Sequence, residues 1–172
     1  MDNTQTASRY ECIRLGNQFC FPLYACAKEI VRRYRKPLEE LNLTYTQYVV
    51  MMALWEYGGM TEGELGGIVH LDSGTLAPLL KRLEKQGYLT RTRLDGNERK
   101  LFLALTDEGE ALKNRAISVP EEMQGCIDLP KEELTELKRL LDKALARMDQ
   151  KLQKDNKERF TITGLLPEKA KN

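Results

Sequence analysis

The chain reads as a mainly α-helical protein carrying one small β-hairpin, arranged as a winged helix-turn-helix. Three observations predict this fold. Thr61 to Gln86 holds two short helical segments joined by a tight turn. The apolar period changes from 3.6 to 2 directly after Gly87. Basic side chains gather in the same region: from Asp72 to Ala104 seven positive residues face four negative ones, a local +3 in a chain whose net charge is +1. Attraction to DNA follows such a local field more than the total.

Leu15 to Glu40 has helical spacing through Leu23, Ile30, Val31 and Tyr34. Pro22 predicts a helix start close to itself, with Cys20 just outside, and Pro37 predicts an end or a kink. Thr44 with Gln47 has capping-box spacing and opens a helix through Val49, Val50, Met52, Ala53, Leu54 and Trp55 that ends at Gly58-Gly59. It is apolar nearly all round and is expected to be buried. Thr61 with Glu64 repeats the capping box ahead of Leu65 and Ile68.

Asp72 caps the next helix, through Leu76, Leu79, Leu80 and Leu83, and Gly87 closes it. Pro78 is the one local conflict with that helix. Tyr88–Arg93 and Lys100–Leu105 read as strands around an Asp95-Gly96-Asn97 turn. A basic hairpin after a candidate recognition helix is a wing, and it carries Arg93, Arg99 and Lys100. Thr106 starts a helix running to about Pro120. Pro130, with Glu132 and Glu133, opens the last one, striped by Leu134, Leu137, Leu141, Leu145, Met148 and Leu152. From Asp155 the chain reads as a polar tail with a small patch at Phe160-Thr161-Ile162.

The expected organisation is therefore a dimerisation segment over 1–43, the winged helix-turn-helix over 44–106, dimerisation helices over 107–154 and the tail over 155–172. The 41% apolar and 31% charged composition fits a soluble protein. No run nears the roughly 18 apolar residues of a membrane span, and Met1-Asp2-Asn3-Thr4 does not open a secretory signal. A cytoplasmic location without a membrane partner is expected. The cysteines Cys12, Cys20, Cys26 and Cys126 form no C-x-x-C pair, and His70 is the one histidine. Neither a metal, a cofactor nor a catalytic set is expected. In a reducing compartment such thiols are ordinarily free and mostly buried.

Three stretches resemble the MarR family of winged-helix regulators, and within it the organic hydroperoxide resistance branch. They are Asn17-Gln18-Phe19-Cys20-Phe21-Pro22-Leu23-Tyr24, Leu43-Thr44-Tyr45-Thr46-Gln47-Tyr48, and the run from Leu71-Asp72-Ser73-Gly74-Thr75-Leu76 to Lys81-Arg82-Leu83-Glu84. The resemblance implies a homodimer with interlocked terminal helices that binds a pseudo-palindromic double-stranded DNA operator. It implies that Ser73, Thr75, Lys81 and Arg82 approach the DNA, although capping is the plain alternative for Ser73 and Thr75. It places Arg99 where the family's wing arginine enters the minor groove. The family commonly has Asp two residues earlier, and this chain has Asn97 there.

The same resemblance makes Cys20 the peroxide-reactive sensor. Tyr24 and Tyr34 become its hydrogen-bond partners, Tyr34 from the other subunit, and Cys126 of the opposite subunit becomes the resolving cysteine. Attack on a peroxide needs a thiolate, which hydrogen-bond donors and a helix N-terminus stabilise. Lys28, Arg32, Arg33, Arg35 and Lys36 add positive charge nearby in sequence, or form a solvated face. Cys26 is expected to be a packed small residue.

The implied function is a repressor that binds its operator when reduced and releases it once an organic hydroperoxide oxidises Cys20. One alternative is a MarR-type repressor released by a phenolic or other small ligand, with Tyr45, Tyr48, Trp55 and Met51 lining the pocket, although such aromatics are more commonly core. A thiol peroxidase is the enzyme alternative, and it would have no need of a wing.

Overall fold

A 3₁₀ turn over Leu15–Asn17 leads into α1 (Cys20–Arg33), and Tyr34 breaks that helix from α2 (Arg35–Glu39). Next come α3 (Tyr45–Tyr57), β1 (Met60–Thr61), α4 (Glu62–Val69), α5 (Ser73–Lys85), β2 (Leu89–Leu94) and β3 (Asn97–Leu105). The chain continues through α6 (Asp107–Ala116), α7 (Ser118–Glu122) and α8 (Lys131–Thr163). This computed structural model describes the backbone of residues 10–94 and 97–163, and the side chains of those residues except 97–99 and 150–163. The Asp95-Gly96 part of the predicted turn and the side chains of Leu152, Phe160, Thr161 and Ile162 therefore lie outside the described residues.

Prolines set the helix starts by one shared rule. Pro22, Pro37 and Pro120 are each the third residue of a helix, in α1, α2 and α7. The first turn's N–H groups have no acceptor within the helix, so proline costs nothing anywhere in that turn. Three expectations change accordingly. Helix α1 begins at Cys20 and includes it; the break precedes Pro37 and falls at Tyr34; the helix after Thr106 divides at Ile117 and does not run whole to Pro120.

Both capping boxes form, Thr44 with Gln47 and Thr61 with Glu64. Helix α3 is central: Val50, Met51 and Leu54 are at most 1% exposed, and Gly58 ends it at φ +79°. The strands make one antiparallel sheet in the order β1-β3-β2. Strand β1 has no counterpart in the sequence reading; with Met60 opposite Leu103 and Thr61 opposite Phe102 it is too short to show a period. Leu65, Leu76, Leu80, Leu83, Leu89 and Leu103, all at most 1% exposed, join the wing and the two reading helices into the core.

The chain divides into two compact units, Met1–Cys126 and Ile127–Asn172. In the second, α8 continues to Thr163, well past the Asp155 at which the sequence predicts a tail. Its predicted stripe stays partly open, with Leu137, Leu145 and Met148 exposed. Among the described residues no helix is long and apolar enough to cross a membrane.

Candidate functional site

The reading helix is built from its cap outward. Asp72 stands in extended conformation before α5, and its carboxylate accepts from the Thr75 backbone N–H at 3.0 Å and the Thr75 hydroxyl at 2.9 Å. These bonds hold the Asp72 carboxyl below its ordinary range, the hydroxyl contributing most and the backbone N–H next. A Cβ on Gly74 would stand 3.0 Å from the same carboxylate, so glycine keeps the cap closed. Thr75 thus has its hydroxyl proton committed to the cap, and only its oxygen lone pairs face outward. Ser73, the first helical residue, is exposed.

Leu76, Leu80 and Leu83 turn inward, which at 100° per residue sends Gly74, Pro78, Lys81 and Lys85 to the outer pole. Pro78 is sixth in α5, and its missing N–H lies on the solvent side, where helix hydrogen bonds are weakest. That resolves the conflict seen in the sequence. Lys81 is exposed, while Arg82 sits on the flank in a cleft shared with Thr44, Gln47, Thr75 and Pro78.

The wing is tied to this helix by a pair that sequence reading misses. Arg91 in β2 donates from Nε and Nη2 to one oxygen of Glu84 in α5, at 2.9 and 2.7 Å. No spacing rule joins a helical residue to one seven positions on in a strand. Arg93 is exposed opposite Leu101, and Lys100 is exposed on β3 with its field reaching Glu64. The backbone of Asn97 and Arg99 lies in β3, but their side chains are outside the described residues.

Cys20 and Cys126 occupy two separate places. Cys20 is the exposed first residue of α1, and Tyr24, one turn on, is 62% exposed. Tyr34 follows the far end of the same helix. At 1.5 Å per residue the two ends of α1 are about 20 Å apart, so Tyr34 cannot reach the Cys20 of its own chain. Its ring packs at 4.9 Å from that of Tyr45 and 6.1 Å from that of Tyr48. Burial raises the Tyr34 phenol above its ordinary range, and Tyr45, Tyr48 and Cys126 add to the shift, so it stays a protonated donor.

Cys126 belongs to that far end. Arg33, the last residue of α1, donates from Nη1 to the Cys126 carbonyl at 2.9 Å, and the Cys126 thiol lies within the field of Tyr34. The two groups that the resemblance assigns to the partner's sensor are therefore neighbours on one protomer. The charge run is not gathered at Cys20: Arg32 and Arg33 pair with Glu29, and Arg33 and Lys36 line a cleft at Cys126.

Cys12, Cys20 and Cys26 are all exposed and Cys126 is half-buried, against the expectation of mostly buried thiols and a packed Cys26. Cys20 and Cys26 are open because α1 buries no residue within its own chain. Phe19, Phe21, Leu23 and Tyr24 are each at least 41% exposed there, an apolar surface of the kind that a partner covers. The aromatic residues considered for a ligand pocket are core instead. Met51 and Tyr48 are at most 4% exposed, the Tyr48 and Trp55 rings stand 6.3 Å apart, and Trp55 Nε1 donates to the Gly109 carbonyl at 2.8 Å.

A capped reading helix, a tied basic wing and an uncovered N-terminal helix define a winged-helix regulator. The MarR family pattern matches residues 43–101, and the chain belongs to that family. It is 39% identical over 144 residues to the organic hydroperoxide resistance transcriptional regulator of Bacillus subtilis, covering 84% of this chain and 98% of the relative. It is 42% identical over 127 residues to the HTH-type regulator SarZ of Staphylococcus saprophyticus, covering 74% and 87%. Among solved structures, reduced AbfR bound to DNA matches with a TM-score of 0.65 and 34% identity over 81% of this chain and 98% of that one. AbfR has also been solved overoxidised on DNA and in a disulfide form. The chain is a regulator and not an enzyme.

Proposed function

We propose that this protein is a cytoplasmic, homodimeric transcriptional repressor that binds a pseudo-palindromic operator when reduced and leaves it when an organic hydroperoxide oxidises Cys20. The Cys20 thiolate attacks the peroxide's outer oxygen, the O–O bond breaks, and an alcohol leaves once the alkoxide is protonated. The sulfur is left as sulfenic acid. Tyr24 of the same chain and Tyr34 of the partner hold the sulfur through their phenols. The partner's Cys126 thiolate then attacks the sulfenic sulfur, and hydroxide leaves as water.

The observation that carries this reading is the placement of Tyr34 beside Cys126, about 20 Å along α1 from Cys20. A protomer presents half of the site at each end of one helix, and a second copy completes both. Lys81, Arg82, Arg93, Arg99 and Lys100 supply phosphate contacts, with Ser73 and the Thr75 lone pairs near the α5 N-terminus. Overoxidised AbfR is described on DNA, so oxidised sulfur by itself is compatible with that complex, and the disulfide is the better candidate for the releasing form. Its relatives and its filled aromatic core both disfavour a phenolic ligand.

Operator affinity measured with and without an organic hydroperoxide, against a dithiol-reduced control, tests the reading. The wild type should release DNA on oxidation, and Cys20→Ser should bind normally and stay bound. Release of Cys20→Ser by peroxide would overturn the assignment of the sensor.

A further inference from the structure

The uncovered surface of α1 carries an order of its own. Leu23, Tyr24, Ala27, Ile30 and Val31 follow one another at helical spacing and share one face, which Cys20 and Tyr34 extend at its two ends. Leu23, Tyr24, Ala27 and Val31 are exposed, and Ile30 and Tyr34 are half-buried. About Ala27 this face mirrors itself. Ile30 answers Tyr24 at three residues from Ala27, Val31 answers Leu23 at four, and Tyr34 answers Cys20 at seven. Off the face the mirror fails: Arg33 stands opposite Phe21, Glu29 opposite Ala25 and Lys28 opposite Cys26.

An apolar face that reads alike in both directions matches an identical helix running the opposite way, as a two-fold axis requires. We infer that Ala27 lies on the two-fold axis of the dimer and sets the register in which α1 meets its copy. Leu23 then packs on the partner's Val31 and Tyr24 on the partner's Ile30. The inference rests on the homodimer proposed above and adds its crossing point. The five apolar residues fix that point without the sensor, and the proposed pairing of Cys20 with the partner's Tyr34 falls on the same centre. Side chains at the contact set the distance between packed helices at about 8–10 Å, and the Ala27 methyl group gives the close end of that range. A large residue there opens the pair by about 2 Å, more than a hydrogen bond to the Cys20 sulfur tolerates. Ala27 is thus a positioning residue for the sensor, and it acts without touching the peroxide.

The test is disulfide trapping in full-length Cys20→Ser protein, where the proposed sensor bond cannot form. Copper-phenanthroline oxidation of Ala27→Cys in that background should give a covalent dimer, and mass mapping should find the introduced thiol bonded to its own copy. Leu23→Cys should not bond to its own copy: the two positions stand about 12 Å apart along the paired helices, beyond the roughly 7 Å that a disulfide spans. Leu23→Cys combined with Val31→Cys should join the two introduced positions. Self-bonding at position 23, or no self-bonding at position 27 in a dimer that binds its operator, overturns the inference. A second arm keeps Cys20 and follows its oxidation by organic hydroperoxide. Ala27→Leu should slow sulfenic acid formation at least several-fold in an intact dimer, and Ala27→Ser should match the wild type. An unchanged rate in dimeric Ala27→Leu overturns the positioning role. If peroxide leaves the wild type on DNA, the sensor reading fails, and the trapping arm, which needs no peroxide, still decides the register.

Discussion

Arg91 in β2 places two N–H groups on a single carboxylate oxygen of Glu84 in α5, and that pairing fixes the wing against the reading helix. Arg91 is 17% exposed and Glu84 38%, so solvent screening leaves the pair worth no more than about 1 kcal/mol to stability. Its larger effect is positional. Glu84→Ala removes a negative charge from a DNA-facing region, and charge alone would then raise affinity. We expect operator affinity to fall several-fold instead, with little change in melting temperature. Tighter binding by Glu84→Ala in a fluorescence titration would show that the tie does not position the wing.

The Asp72 cap predicts a pH dependence with a defined sign. Its folded carboxyl titrates below the ordinary 3.8, held there by Thr75. The charged cap therefore contributes stability that is complete above 3.8 and lost as pH falls through the depressed folded value. Asp72→Asn keeps a cap without the charge. Thermal unfolding should show the wild type above Asp72→Asn at neutral pH, with the gap closing only below 3.8. A gap that is constant from neutral pH to about pH 3 would mean that the charge adds nothing to the cap.

Lys81 stands at the outer pole of α5, where a DNA phosphate is expected to sit. Lys81→Ala should weaken operator binding and lower the slope of log affinity against log salt by about 0.9 for each phosphate left unneutralised. Arg99→Ala is expected to do the same from the wing. A folded, dimeric variant with unchanged affinity and slope removes that residue from the interface.

Gly109 marks where α6 presses on the backbone at Tyr88, just before β2. A Cβ there would collide with the Tyr88 carbonyl oxygen, and the Gly109 carbonyl is the acceptor for Trp55. Gly109→Ala should cost roughly 1–3 kcal/mol or more, as other overpacked sites do. Chemical denaturation within error of the wild type would show that α6 can shift without cost.

Much of the fold is legible in the sequence because it is local. The caps at Thr44, Thr61, Asp72 and Thr106 all form where a side-chain oxygen stands three residues before its donor. The prolines mislead by two residues, since a whole first turn tolerates them equally. What stays hidden joins distant positions: Glu84 to Arg91, Arg33 to Cys126, and β1 to β3. The exposed thiols escape a single-chain reading, because burial is expected within one chain whereas α1 buries nothing on its own.

The same helix makes the route of the proposed disulfide a matter of geometry. Cys20 starts α1, and Cys126 is held at its other end by Arg33, about 20 Å away. A disulfide needs Cα atoms within about 7 Å, so these two cysteines of one chain cannot join while α1 and the Arg33 bond persist. Between protomers the disulfide requires only that two copies of α1 lie alongside in opposite directions, which their uncovered apolar faces favour. The decisive sample is a heterodimer of Cys20→Ser with Cys126→Ser, distinguished by affinity tags. One protomer keeps a sensor and the other keeps a resolving cysteine. Peroxide should cross-link this heterodimer and neither parent homodimer on non-reducing electrophoresis. The heterodimer retains one of the two bonds, so reducing one disulfide per dimer should separate its protomers, where the wild type requires two. If the heterodimer stays uncrosslinked while the wild type forms a covalent dimer, then another pair of sulfurs makes that bond and Cys126 is not the resolving residue.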